Sequence, residues 1–299
     1  MIAVVGSVNL DIVIGVDRHP TPGETVLGGD RVDLPGGKGA NQAVAAARLG
    51  RDVAIVGRVG DDAAGRRLRS GLEHEGVDVA HLATDPDAPS GVALIAVDRE
   101  GENTIIVSPG ANGGVGASDV QAAQGLLGEA AVTLLQLEIP QAAVDAALRA
   151  AGGTVVLNPA PARPLAAEAL AKIDVLVPNR GELGLLAGAG EPADAGEAVA
   201  LARALQGPRA IVVTLGAEGA LVVDGSRVER VPAPAVEAVD ATGAGDAFCG
   251  ALADALSRGA ELVEAARWSV AAAALSVERT GAQDGMPTAD AVRARTASA

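Results

Sequence analysis

In the segment Asp240–Gly250, DATGAGDAFCG, a carboxylate, Asp246, directly follows Gly243, Ala244 and Gly245 and opens the run AFCGALADALSRG. Small residues let a backbone approach a ligand closely, and the first turn of a helix carries N–H groups with no internal acceptor. The pattern therefore makes an anion site. A carboxylate beside it can take the proton of an attacking hydroxyl while the amides stabilise charge on a transferring phosphoryl group. Spacing alone leaves a second role open for Asp246, that of a helix N-cap.

Two further segments carry polar groups where an apolar pattern has no use for them. In Pro35–Asn41, PGGKGAN, the glycines mark a strand-to-helix turn, and Lys38 and Asn41 stand at the mouth of the apolar helix QAVAAARLG. The amides of Gly37 and Lys38, with the Asn41 side chain, are candidates for binding vicinal hydroxyls. In SVNLD, read as the end of the first strand, Asn9 and Asp11 alternate with Val8 and Leu10 and so share a face. Glu138, Asn158, Asn179 and Thr214 also follow or close apolar runs. Polar side chains at the carboxyl ends of strands are how an open α/β sheet builds a ligand crevice.

Other chemistries lack their residues. There is no G-x-x-x-x-G-K-[ST] loop, no G-x-S-x-G elbow, and no second or third glycine of a dinucleotide fingerprint after the first strand. His19, His74 and His81 have no metal-ligand spacing, and one cysteine cannot assemble a Cys/His zinc site. Cys249, three residues past Asp246, reads as a small buried helix residue.

The elements that must position these groups are legible in the hydrophobic pattern. Short apolar runs (Ile2–Val5, Val53–Val56, Val132–Leu135, Thr154–Leu157, Val175–Val177, Ala210–Thr214) alternate with Ala-rich helical stretches. Several of those stretches stop at a glycine, as at Gly50, Gly76 and Gly152. Strands buried on both faces and separated by helices predict an α/β fold with a doubly wound, mainly parallel sheet flanked by helices. The regions around residues 11–17, 24–34 and 90–107 break the rhythm and predict strands of a small β-sheet lid, so that residues 1–299 form one α/β domain with one lid. Its apolar face calls for a cover, substrate or a second copy of the chain, and points to a homodimer through the lid.

Composition narrows the partners. A net charge of −15 repels a nucleic-acid backbone, and a chain with one Trp, one Phe and no Tyr has no base-stacking platform. A nucleotide held by backbone amides remains compatible with that charge. The apolar N-terminus lacks a basic flank and is interrupted by Ser7, Asn9 and Asp11, so it reads as a strand and not as a signal peptide or membrane span. With a single cysteine, a reducing cytoplasm is the expected compartment.

Taken together, the segments resemble the ribokinase family of carbohydrate kinases over about residues 1–290. PGGKGANQAVAAARLG is similar to the family's N-terminal signature and DATGAGDAF to its C-terminal one, with PTPGETV, GENTI, LNPAPAR, Pro178–Glu182 and Thr214–Gly219 matching in order between them. The resemblance implies transfer of the γ-phosphoryl of MgATP to a primary hydroxyl, O5 of D-ribose, with Asp246 as catalytic base and Gly243, Ala244 and Gly245 as anion hole. It implies Asn9, Asp11, Gly37, Lys38, Asn41 and Glu138 around the sugar. Asn179, Thr214, Gly216, Gly219, Gly245, Val270 and Ala273 would border the nucleotide. Glu182 would hold Mg²⁺ through water, and Asp240, Thr242, Arg279, Gly281 and Gly285 would surround an activating K⁺. Gly285 departs from the family, which carries serine there, and Val270 stands where some relatives place a stacking histidine.

The rival substrates within the family are a nucleoside, another pentose or hexose, and a sugar phosphate. The first needs extra apolar room and the last a basic cluster near the lid, and neither is visible in the sequence. A sugar sensor without catalysis would have no use for Asp246 behind its glycines.

Overall fold

Ile2–Val5 expose no side-chain surface, and this fully apolar run is β1, in the interior of the larger sheet of the computed structural model, which describes residues 1–297. The chain continues through β2 (Asn9–Val16), β3 (Gly28–Gly36), β4 (Val53–Gly60), β5 (Val77–Asp85), β6 (Gly91–Val97) and β7 (Asn103–Ser108). The second half adds β8 (Val132–Leu135), β9 (Thr154–Leu157), β10 (Val175–Leu176), β11 (Ala210–Thr214), β12 (Ala220–Asp224) and β13 (Arg227–Val231). One sheet has nine strands in the order β13-β12-β11-β10-β9-β8-β1-β4-β5, and a second has four, β3-β2-β6-β7. In the large sheet every pairing from β11 to β5 is parallel, and only the β11-β12-β13 edge is antiparallel.

Strands this apolar must be covered on both faces, and two cores do so. On one side the helices Lys38–Arg48, Ala244–Ser257 and Leu262–Ser276 pack Ala, Val and Leu against Val4, Ile55 and Leu134. On the other, Gln141–Ala150, Arg180–Leu186 and Ala195–Ala204 cover Val5, Leu135 and Val213. The result is the doubly wound, mainly parallel α/β arrangement expected from the pattern, with a small second sheet beside it. Small side chains bring the first pair of helices very close. A Cβ added at Gly250 would lie 2.5 Å from that of Ala45.

The structure corrects the reading of SVNLD. The first strand stops at Val5, and Asn9 and Asp11 open β2 of the small sheet. The break falls at Gly6–Val8, where the backbone crosses the start of the helix Lys38–Arg48: a Cβ at Gly6 would lie 2.8 Å from Gly39 Cα. Apolar residues on both sides of the break hide it in the sequence. Further along, Glu24 belongs to a loop, accepting from Thr21 N at 3.1 Å and from Arg18, and β3 starts only at Gly28. Pro35 is tolerated in β3 because that strand is an edge. At the opposite edge β7 is exposed along its whole length, including Ile105, Ile106 and Val107. Among the described residues no helix is long and apolar enough to cross a membrane.

Candidate active site

Because β11, β10, β9, β8 and β1 run parallel side by side, their carboxyl ends open on one edge. Thr214 closes β11, Asn179 follows β10, Asn158 follows β9 and Glu138 lies just past β8. The small sheet brings Asp11 to this edge, and the helix Lys38–Arg48 brings Lys38 and Asn41. Asp246 arrives from the far end of the chain on the helix Ala244–Ser257.

Gly37 is the N-cap of the first helix with φ 87°, and a Cβ there would meet Asn9 N at 2.7 Å. The GGKGAN sequence is therefore what permits the helix mouth to sit against the Ser7–Asn9 backbone. That contact assembles the polar side of the site. Glu138 accepts from Lys38 N at 3.1 Å and from the Ser7 hydroxyl. The Lys38 amide, expected from the sequence to meet a hydroxyl, is thus engaged by Glu138. The Lys38 ammonium is held in its charged form, chiefly by Asp246 and against the opposing effect of burial, with help from Glu138 and Glu182. Burial, then Glu138 and Asp246, push the Asp11 carboxyl up to about 7, with Lys38 opposing. Asn9 is buried, and its Oδ1 accepts from Asn112 Nδ2 at 2.7 Å.

Asp246 is not an N-cap. Gly243 fills that position in the left-handed region, φ 76°, and Asp246 is the third residue of the helix. Its carboxylate accepts from Asn41 Nδ2 at 3.0 Å on one oxygen and from Gln42 Nε2 at 2.9 Å on the other. Asn41, expected to face the sugar, thus gives its NH₂ to Asp246, and its oxygen accepts from Gln283 Nε2 at 3.1 Å. In the turn before Asp246 the Ala244 amide donates to Ala241 O at 3.2 Å. The Gly243, Gly245 and Asp246 amides have no acceptor among the described residues, so this turn leaves three donors free for an anion.

An apolar cavity of about 650 Å³ opens directly from this turn. Ala244 and Gly245 line it together with Thr214, Gly216, Gly219, Phe248, Val270 and Ala273. All the residues expected at the nucleotide therefore meet in one place, except Asn179. That residue caps the helix Arg180–Leu186: its Oδ1 accepts from Glu182 N and its own N donates to Glu182 Oε2, both at 2.8 Å. Burial raises the Glu182 carboxyl above its ordinary value, with the Asn179 hydrogen bond and Lys38 opposing and Asp246 adding to the rise.

A lone carboxylate with one oxygen committed to a cap suits Mg²⁺, which keeps most of its waters and takes one or two carboxylates besides phosphate. The residues expected around a monovalent cation are arranged differently. Asp240 Oδ1 accepts from Thr242 N and Oδ2 from Gly281 N, both at 2.8 Å. Burial opposes ionisation there, but these bonds hold the Asp240 carboxyl below its usual range. The Arg279 amide donates to Ser276 O, and a Cβ at Gly285 would lie 2.6 Å from that same carbonyl. A serine at 285 would require the Ser276 carbonyl to shift, and with glycine there a monovalent cation would rely on carbonyls beside Asp240. Among the described residues no three His, Cys, Asp or Glu side chains gather into a group that could hold a metal ion, here or elsewhere.

The sequence reading missed Gln42, Gln283 and Phe248. Gln42 does leave a signal, since a glutamine with no exposed surface interrupts an otherwise apolar helix face. Cys249 is buried, and burial pushes its thiol well up, as suits a packing residue.

Asp11 gives a test of the site's electrostatics. Its carboxyl titrates near 7 in the folded chain and near 4 when unfolded, so its ionisation costs stability progressively as pH rises from about 4 to about 7. Asp11→Asn removes that cost. We expect it to raise the melting temperature at pH 8 by roughly 2–5 °C while sugar kcat/KM falls ~10²-fold. An unchanged melting temperature at pH 8 would contradict the burial argument.

The chain belongs to the pfkB family of carbohydrate kinases, whose family model matches residues 1–289. Within that family it resembles proteins named ribokinase. It is 40% identical to the ribokinase of Bacillus subtilis over 97% of each chain. The ribokinase crystal structure from Thermotoga maritima superposes with a TM-score of 0.92 at 36% identity, covering 99% of both chains. The Arabidopsis thaliana ribokinase complexed with ribose and ATP superposes with a TM-score of 0.86 at 33% identity, over 98% of both chains.

Proposed function

We propose that this chain transfers the γ-phosphoryl group of MgATP to O5 of D-ribose, with Asp246 as the base. One observation carries the reading. A buried carboxylate stands between a polar cleft lined by Asp11, Lys38 and Glu138 and an apolar cavity fronted by free amides. Adenine fits between Val270, Ala273 and the Thr214–Gly219 turn, which directs the phosphates to Gly245 and Asp246. Asp11 and Glu138 accept hydrogen bonds from sugar hydroxyls, and Lys38 screens the carboxylates from one another and from the phosphates. Asp246 takes the O5 proton as the oxygen attacks. The amides, fixed in place before reaction, stabilise charge on the transferring group without reorganisation.

Mg²⁺, when bound, neutralises charge on the phosphates, with Glu182 as the residue to hold it through water. K⁺ beside Asp240 and Gly281 would order the loop that meets the anion site. The ribose and ATP bound by the Arabidopsis relative support this choice of substrates. Lys38 is the cation that acts on Asp11 and Glu138 among the described residues, and a single ammonium ringed by carboxylates disfavours a sugar phosphate. The exposed β7 residues Ile105, Ile106 and Val107 support a homodimer in which a second copy covers the lid, and the single cysteine supports a cytoplasmic location.

The test is ADP release, coupled to a reporter, across ribose, deoxyribose, fructose, fructose phosphates and nucleosides, with and without K⁺. Ribose is expected to give the highest kcat/KM, and faster turnover of a nucleoside overturns the substrate. Sedimentation at micromolar concentration is expected to show a dimer, and monomer alone would remove the lid interface.

A further inference from the structure

Two adjacent amide side chains of the helix Lys38–Arg48, both buried, converge on the two oxygens of Asp246, and their polarity is uniform. An ionised carboxylate only accepts, so any amide facing it must present its NH₂. Gln42, fully buried, does so at 2.9 Å, which turns its own Oε1 away from the site and onto Gln136 Nε2 at 2.7 Å. Gln42 Nε2 also reaches Asn158 Oδ1 at 3.2 Å, and Asn158 is held in that sense because its Nδ2 donates to Val177 O at 2.9 Å. Asn41 repeats the pattern on the other carboxylate oxygen, with Gln283 behind it.

The arrangement carries a visible cost. Gln136 is fully buried on the end of β8, and its Oε1 has no hydrogen-bond partner. Rotating that amide by half a turn would set its oxygen against Gln42 Oε1 and release Gln42 to rotate as well. A buried, unpaired amide oxygen is rare because it is expensive, and one retained directly behind the amide that faces Asp246 calls for a reason.

We infer that Gln42 is a positioning residue for phosphoryl transfer: locked by Gln136, it holds the Asp246 carboxylate in the orientation that receives the sugar proton. It acts through Asp246 and touches neither sugar nor nucleotide, so the inference rests on Asp246 being the base. A base works only within hydrogen-bond reach of its proton, and displacement by about 1 Å can cost ~10²-fold.

Steady-state kinetics on Gln42→Met, Gln136→Met, Asp246→Asn and the two double variants test this. Gln42→Met is expected to lower kcat ~10–100-fold with KM for ATP within about twofold. Gln136→Met deletes one unpaired oxygen but strips Gln42 Oε1 of its donor, so it should melt within a few degrees of wild type and lower kcat ~3–10-fold. In the Asp246→Asn background neither substitution should change residual turnover by more than about twofold, because the group they act through is gone. Effects that multiply in that background, or a Gln136→Met enzyme with wild-type kcat, overturn the inference. The base assignment fails separately, if Asp246→Asn by itself turns over normally.

Discussion

Asp246→Asn is expected to lower kcat ~10²–10⁴-fold, the range for loss of a positioned general base, while ATP binding stays near wild type. The substitution is isosteric, so the anion site and the nucleotide cavity keep their shape. It does change the hydrogen bonding: the Asn41 and Gln42 NH₂ groups both point at this side chain, and an asparagine can accept from only one of them while its own NH₂ opposes the other. Lys38 also loses the partner that contributes most to its charged state. A residual rate well above the uncatalysed one is expected, since the free amides and the bound geometry remain. Rapid-quench or coupled kinetics with parallel calorimetry of ATP binding measure both quantities. A variant retaining more than about a tenth of wild-type kcat would remove Asp246 from the role of base.

Gly243→Ala is expected to lower kcat ~10²–10³-fold, as loss of an oxyanion-type donor set does elsewhere. Two observations make this more than a helix-cap effect. Gly243 has φ 76°, which an alanine adopts only with strain, and a Cβ there would stand 2.9 Å from both Cα and Cβ of Ala282. Relief must move either the turn that aims the Gly245 and Asp246 amides or the segment that carries Gln283 to Asn41. Both lie at the transferring group, so kcat should fall more than KM for the sugar. A circular-dichroism melt within a few degrees of wild type distinguishes this from global unfolding. A Gly243→Ala enzyme with unaltered kcat would show that the turn plays no part in transfer.

Most of the fold was legible because its determinants are local. Period and burial are properties of neighbouring residues, and the alternation of apolar runs with Ala-rich helices specified a layered sheet before any contact was known. The two glycine-rich segments were legible for the same reason, since helix mouths and left-handed positions leave marks within a few residues. Polar side chains at the ends of Val132–Leu135, Thr154–Leu157 and Ala210–Thr214 also stood out against their surroundings.

What failed locally is instructive. The run MIAVVGSVNLDIVIGV gave no sign that it divides between two sheets, because each half is apolar on its own account. Asp246 behind two glycines fits a cap or a base equally well by spacing. Its actual partners, Asn41 and Gln42, stand 205 and 204 positions away, and the Lys38 amide meets Glu138 across 100.

For the carboxylate behind the glycines, then, the sequence by itself determined that it would sit at a helix mouth with unpaired amides beside it. Only the tertiary structure decided that Gly243 is the cap and that Asp246 is clamped by amides facing it from the first helix. The reason is physical: chain-local preferences set which groups are buried, but a buried polar group takes its partner from whatever packing brings within about 3 Å.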